Sequence, residues 1–293
     1  MPMQLSEQNK KSLPHHFLLK LQAVYDSLKS AERKAANLIL ESPEFISGAT
    51  IGEAADRADC SQATYVRLAH RLGFEGFPEL KSQLREGASR QTPQLYQAIL
   101  LEDTNDLIVM KVFQACMQTL SDTLNVFDME KYSCAVEAFC RAGKVMFCGV
   151  GDSSAVAQAA YLKFMRTGME VFHSEDSNAQ LVTASHMVKG DVLVAISHMG
   201  RSKSVVDLVK YARSMGITVI AITNFPVSPL SKNADILLLT AAFAEHISGE
   251  VMSKRLAELC IIECLYVNTL IRNGPILNSK VDKANSALEL NIL

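Results

Sequence analysis

The stretch Asp191-Val-Leu-Val-Ala-Ile-Ser-His-Met-Gly-Arg-Ser-Lys-Ser204 decides the fold. Val192 to Ile196 is apolar at every position, as a strand is when helices cover both faces of a parallel sheet. Ser197, Gly200 and Ser202 follow, and then a helical pattern, so the strand hands over to a helix through a hydroxyl-rich turn. Outward from this point, four more β-rich runs alternate with helical segments: Lys144 to Val150, Glu170 to Phe172, Ile217 to Thr223 and Asp235 to Thr240. Each gap has room for a crossover helix. Residues 128–293 therefore predict a doubly wound α/β domain with a parallel sheet of about five strands. Its ligand site is expected beyond the carboxyl ends of the strands, at the switch point.

A second loop of the same kind follows the first run. Gly149-Val-Gly151-Asp-Ser153-Ser154 leads into a helix expected from about Ala155. Glycines permit the tight turn, a helix start offers free N–H groups and the positive end of its dipole, and serines add donors, which together suit a phosphate. Two such loops on one sheet can converge on one anion. A dinucleotide-binding reading uses Gly149 and Gly151 as two of three fingerprint glycines, with Glu170 or Glu175 about twenty residues on. Ser154 stands where the third small residue belongs, and that reading leaves the Ser197 loop without a role.

Residues 17–86 read as all-helical. Thr50-Ile-Gly-Glu53 is a capping box, Ser30 and Ser61 are helix-start signals, and Pro78 suits a first turn. Ile51 to Arg57, the turn Ala58-Asp59-Cys60 and a second helix from Ser61 to Leu72 have helix-turn-helix spacing. Tyr65 or Val66, Leu68 or Ala69, and Leu72 can face inward, with Gln62, Ala63, Thr64, Arg67 and Arg71 facing out. Gln62 and Thr64 suit base edges, and Arg67 and Arg71 suit guanine or phosphate. A helical cap domain with a short polar face is the alternative. The domain is taken as 1–88, and Gly87-Ala-Ser-Arg-Gln-Thr-Pro93 reads as a linker. Within 89–127 an amphipathic connecting helix, Asn105 to Leu124, carries Val109, Phe113, Cys116, Met117, Leu120 and Leu124 as a stripe for a subunit or domain interface. The last residues, Ile276 to Leu293, are helical in pattern.

Three blocks, Thr50-Ile-Gly-Glu-Ala-Ala55, Cys60-Ser-Gln-Ala-Thr-Tyr-Val-Arg67 and Leu72-Gly-Phe-Glu-Gly-Phe-Pro-Glu-Leu-Lys81, together resemble the N-terminal domain of RpiR-type bacterial transcription regulators. The two serine loops, with Lys163-Phe-Met-Arg-Thr-Gly168, Gly190 to Ser197 and Met252-Ser-Lys-Arg-Leu-Ala257, resemble the sugar isomerase (SIS) domain of the same regulators. The resemblance covers residues 17–275. It implies that Ser61 to Leu72, with Ser61 and Ala63 included, is the recognition helix on double-stranded operator DNA. It also implies that Gly151, Ser153, Ser154, Ser197, Gly200 and Ser202 cradle the phosphate of a sugar phosphate effector. Met199 departs from the usual small hydroxyl residue, and loss of one hydroxyl costs about 1 kcal/mol. Lys254 replaces a common serine, and pointing inward its charge would offset that loss.

Composition narrows the function further. With 29 Lys+Arg, 31 Asp+Glu and a net charge of −2, DNA contact must come from a local patch rather than bulk charge. Residues 1–90 hold 12 basic and 11 acidic side chains. The seven cysteines are odd in number and form no CxxC pair, which reads as reduced, buried thiols of a cytoplasmic protein, with Cys260 and Cys264 in the core. No metal, cofactor or membrane segment is expected. His198, His173, Glu175, Glu245 and His246 are possible bases for sugar-phosphate isomerisation, and the favoured reading gives them no chemistry. Expected, then, is a regulator of carbohydrate metabolism that is not an enzyme and acts as a homodimer or tetramer. The alternatives are a phosphosugar isomerase-type enzyme with a helical appendage, and a nucleotide-binding redox sensor.

Overall fold

The computed structural model describes residues 17, 20, 21, 24, 25, 28–89, 99–242 and 253–291. Two compact units, Met1–Gln114 and Ala115–Leu293, divide the chain. In the first, helices α1 (Ser30–Glu41), α2 (Pro43–Gly48), α3 (Ile51–Arg57), α4 (Gln62–Arg71) and α5 (Phe77–Ser89) enclose one core. Ile39, Ile46, Ala54, Tyr65, Leu68 and Leu80 are its buried centre. Lys29, not Ser30, is the N-cap of α1. α5 runs through Gly87 to Ser89, so the polar stretch expected as linker begins as helix. Its continuation, 90–93, lies outside the described residues.

α6 (Asn105–Val126) spans the division between the units. Its stripe is turned outward: Val109, Phe113, Met117, Leu120 and Leu124 are exposed, while Lys111, Ala115, Thr119, Asp122 and Thr123 are buried. The polar face is the packed one because its groups find partners, which removes the penalty of burying them. Lys111 pairs with Asp103 at 2.6 Å, Thr119 Oγ1 lies 2.9 Å from Ser253 Oγ, and Thr123 Oγ1 accepts the Ala241 N–H at 3.1 Å.

The second unit continues with α7 (Met129–Arg141), β1 (Lys144–Cys148), α8 (Asp152–Met165), β2 (Glu170–His173), α9 (Ser177–Ser185), β3 (Val192–Ile196), α10 (Lys203–Ser214), β4 (Thr218–Thr223), β5 (Ile236–Leu239), α11 (Lys254–Asn273) and α12 (Pro275–Leu288). All five strands are parallel, in the order β2-β1-β3-β4-β5. Alternate residues feed two cores. Phe147, Val194 and Ile222 pack with Phe139, Phe164 and Leu265 on one side. Cys148, Ala195 and Ala221 pack with Val205, Leu208 and Ala212 on the other. The unbroken apolar run of β3 is explained by this double covering. The order reverses direction between β1 and β3, so their carboxyl ends form the switch point, where doubly wound sheets bind ligands.

Of the cysteines only Cys148 is buried. Cys134, Cys260 and Cys264 are exposed, which corrects the core reading of the last two, because α11 turns Ile261, Ile262 and Leu265 inward instead. Among the described residues no helix is long and apolar enough to cross a membrane, and no group of three or more His, Cys, Asp or Glu could hold a metal ion.

Candidate functional site

In the first unit the capping box forms as read. Glu53 N donates to Thr50 Oγ1 at 3.3 Å, and Thr50 N donates to Glu53 Oε2 at 2.7 Å, fixing the start of α3. The chain turns at Asp59, whose φ is +49°, and Cys60 N closes the turn on Ala55 O at 3.0 Å. α4 then buries Tyr65, Leu68 and Ala69 and exposes Gln62, Ala63, Arg67 and Arg71, with Ser61 exposed at its N-cap. Thr64 is a correction to the outward set. It is 1% exposed, and its hydroxyl lies 2.9 Å from Ser61 Oγ and accepts Arg67 Nη2 at 3.2 Å. Thr64 thus supports the helix start rather than facing out.

In the second unit the loops after β1 and β3 lie at neighbouring strand ends. Gly151, the N-cap of α8, has φ +58° and ψ −129°, a conformation that a side chain would strain. α8 begins at Asp152, three residues before its expected start, so Ser153 and Ser154 already lie in its first turn, both buried. After β3, Ser197 is buried, its Oγ 3.4 Å from the Oγ of Ser202, the N-cap of α10. Gly200 lies between them at φ +63°, and a Cβ there would sit 2.2 Å from Ser228 Oγ. Thr223 Oγ1 and Asn224 N both donate to His198 O at 3.0 Å, fastening the loop to the end of β4. Met199 points away, 53% exposed.

Lys254, at the start of α11, joins this arrangement. Its Nζ is 2.8 Å from Asp152 Oδ2, and this ammonium holds the Asp152 carboxyl below the usual carboxylate range. Lys254 also acts on the second loop. Burial lowers His198 to about 4, and the positive charge of Lys254 adds to that effect. His198 is therefore neutral at pH 7. One turn on, Glu258 is 1% exposed and pushed up to about 7 by burial, against the pull of Lys254. Directly before α11, the backbone at Ser253 is left-handed, with φ +58°.

Among the described residues, the sheet's carboxyl edge gathers buried polar atoms without protein partners: Ser154 Oγ after β1, His173 Nε2 at the end of β2, His198 Nδ1 after β3 and Asn224 Nδ2 after β4. Both Glu258 carboxyl oxygens are in the same condition. Nearly all buried polar groups in folded proteins are hydrogen-bonded, so these atoms are open to polar partners from outside the chain, water or ligand.

The model of the rpiR-family helix-turn-helix domain matches residues 15–91, and that of the SIS domain matches residues 138–268. An uncharacterised HTH-type transcriptional regulator of Caldanaerobacter subterraneus subsp. tengcongensis is 33% identical over 82% of this chain and 86% of its own. The chain belongs to the RpiR family of helix-turn-helix transcriptional regulators. Another member, HexR of Escherichia coli, is 30% identical over 94% of each chain. The RpiR fold recurs in the Vibrio vulnificus NanR protein complexed with ManNAc-6P, with a TM-score of 0.60 at 24% identity over 94% of this chain and 99% of that one.

Sequence reasoning on this RpiR-type chain missed Glu258 because a lone glutamate in an apolar helical run reads as an exposed interruption. Its spacing of four from Lys254 was the available signal. Of the possible bases, Glu175 is exposed, His173 Nδ1 lies 3.1 Å from Phe147 O, and Glu245 and His246 lie outside the described residues.

Proposed function

We propose that this regulator controls genes of carbohydrate metabolism, with an operator affinity set by a sugar phosphate held between the loops after β1 and β3. The observation that carries the reading is the pair of serine loops at adjacent strand ends. Each leads into a helix of twelve or more residues, α8 and α10, and Lys254 acts on both. Gly151, Ser153, Ser154, Ser197, Gly200 and Ser202 form the phosphate cradle, with Lys254 beside it. Two helix N-termini, hydroxyl donors and an ammonium group suit a dianion. The NanR relative, complexed with ManNAc-6P, supports this class of effector.

Ser61, Gln62 and Ala63 at the start of α4, with Arg67 and Arg71, contact the operator. The chain works without turnover, in the cytoplasm, as a homodimer or a tetramer. The outward apolar face of α6 supports such assembly, since contiguous exposed apolar surface marks interaction sites. The effector prefers one arrangement of the assembly and so changes how two recognition helices meet a palindromic site. A coupling of about 1–3 kcal/mol changes operator affinity about 5- to 150-fold.

Ser197→Ala tests the cradle. Removing a hydroxyl donor to a phosphate is expected to weaken effector binding by about 1.5–3 kcal/mol, about 10- to 150-fold, without unfolding the chain. Calorimetry against a panel of sugar phosphates, with product analysis for turnover, measures it. An unchanged effector response on operator DNA, or isomerised product, overturns the reading. For α4, Arg67→Ala is expected to cost about 1–3 kcal/mol of operator affinity, read by fluorescence anisotropy.

A further inference from the structure

α4 carries its two outward arginines over a buried carboxylate on another helix. Glu32 of α1 is 3% exposed, with Oε1 3.9 Å from Arg67 Nε and Oε2 3.5 Å from Arg71 Nη1. The outer parts of both arginines remain accessible, their side chains 57% and 37% exposed. Arg67 is held a second time through its Nη2 on Thr64 Oγ1, and that hydroxyl is itself tied to Ser61 Oγ.

Glu32 also accepts the Lys29 N–H at 3.0 Å, the back-reaching half of a capping box. That role does not require burial. Glu53 performs it at the start of α3 while exposed. Removing a carboxylate from water is costly unless cations meet it, and among the described residues the cations that meet Glu32 are those of the recognition helix.

We propose that Glu32 is a positioning residue for operator recognition: its carboxylate pairs with Arg67 and Arg71 from beneath and keeps their exposed faces turned outward in a fixed orientation. This rests on the reading that the two arginines contact DNA. A guanidinium has five donors in a rigid fork, so one edge can be held by a carboxylate while another meets a guanine or phosphate. Holding the arginines before binding lowers the cost of ordering them at the interface. The negative charge beneath them also weakens sequence-independent attraction to phosphates. Glu32 thereby favours discrimination between sequences over general affinity for DNA.

The two effects have opposite signs, which makes the test specific. Gln can serve in a capping box, so Glu32→Gln keeps the cap and removes the charge. The full chain is titrated against a duplex it selects from a random library and against a scrambled duplex of equal length, across a salt series. For Glu32→Gln, affinity for the scrambled duplex is expected to rise with a steeper salt dependence while affinity for the selected duplex falls. Their ratio then drops about tenfold or more. Glu32→Asp keeps the charge but withdraws the grip, so only the selected duplex should lose affinity. Equal loss on both duplexes, or no change on either, overturns the proposal. If Arg67→Ala leaves the selected duplex bound as before, the contact reading of the arginines fails instead, which the same titration distinguishes.

Discussion

Gly200→Ala is expected to destabilise the second unit by about 2–5 kcal/mol and to abolish effector binding. Two penalties add at this position. A left-handed backbone costs a residue with a Cβ about 1–2 kcal/mol, and overpacking a tight contact costs about 1–3 kcal/mol. The new Cβ would lie 2.2 Å from Ser228 Oγ, 2.7 Å from Ser228 Cβ and 3.3 Å from Thr223 Oγ1. Ser228 cannot yield easily, because its hydroxyl and N–H are engaged with Ser231. The loop must move instead, taking Ser197 and Ser202 with it. Urea unfolding measures the first effect and calorimetry with a sugar phosphate the second. Adding Ser228→Gly removes the clash but not the backbone strain, so it should recover part of the stability. A Gly200→Ala chain that unfolds and binds like the parent would refute this account of the loop.

Glu258→Gln is expected to stabilise the chain at pH 8 and to make little difference near pH 4.5. The folded carboxyl is raised from 4.5 to about 7 by burial. Between these values the unfolded chain has released the proton and the folded chain still holds it, so stability falls as pH rises and levels off above about 7. The accumulated loss is about 3 kcal/mol, at roughly 1.4 kcal/mol per pKa unit. Gln stays neutral in both states and escapes it. Denaturant unfolding of both chains from pH 4.5 to 8.5 reads the difference, which must grow with pH. A constant difference would show that Glu258 does not titrate in this window.

Much of the fold was legible because its signals are local. The unbroken apolar run at Val192 to Ile196, the glycine and serine turns and the capping box at Thr50 each sit within a few residues, and all five strands form where the pattern indicates. The two serine-bearing turns were legible for the same reason, since each is one strand-to-helix turn. Thr64 was not: helical periodicity leaves it near the boundary between faces, and its bonds to Ser61 and Arg67 draw it inward. Periodicity marks the apolar stripe of α6 but not which of its faces the rest of the chain covers. Here partners from distant parts of the chain, Ser253 and Ala241, receive the polar side.

The residues alone set the two element grammars, the helix-turn-helix spacing and two turns rich in glycine and serine. Periodicity, turn chemistry and capping are all properties of short segments. Only the tertiary structure decided that β1 lies beside β3, so that loops nearly fifty residues apart meet at one sheet edge. It also decided that Lys254 joins Asp152, and that Glu32 lies beneath Arg67 and Arg71. Adjacency of this kind is set by how whole elements bury their faces against one another, and no local pattern encodes the partner.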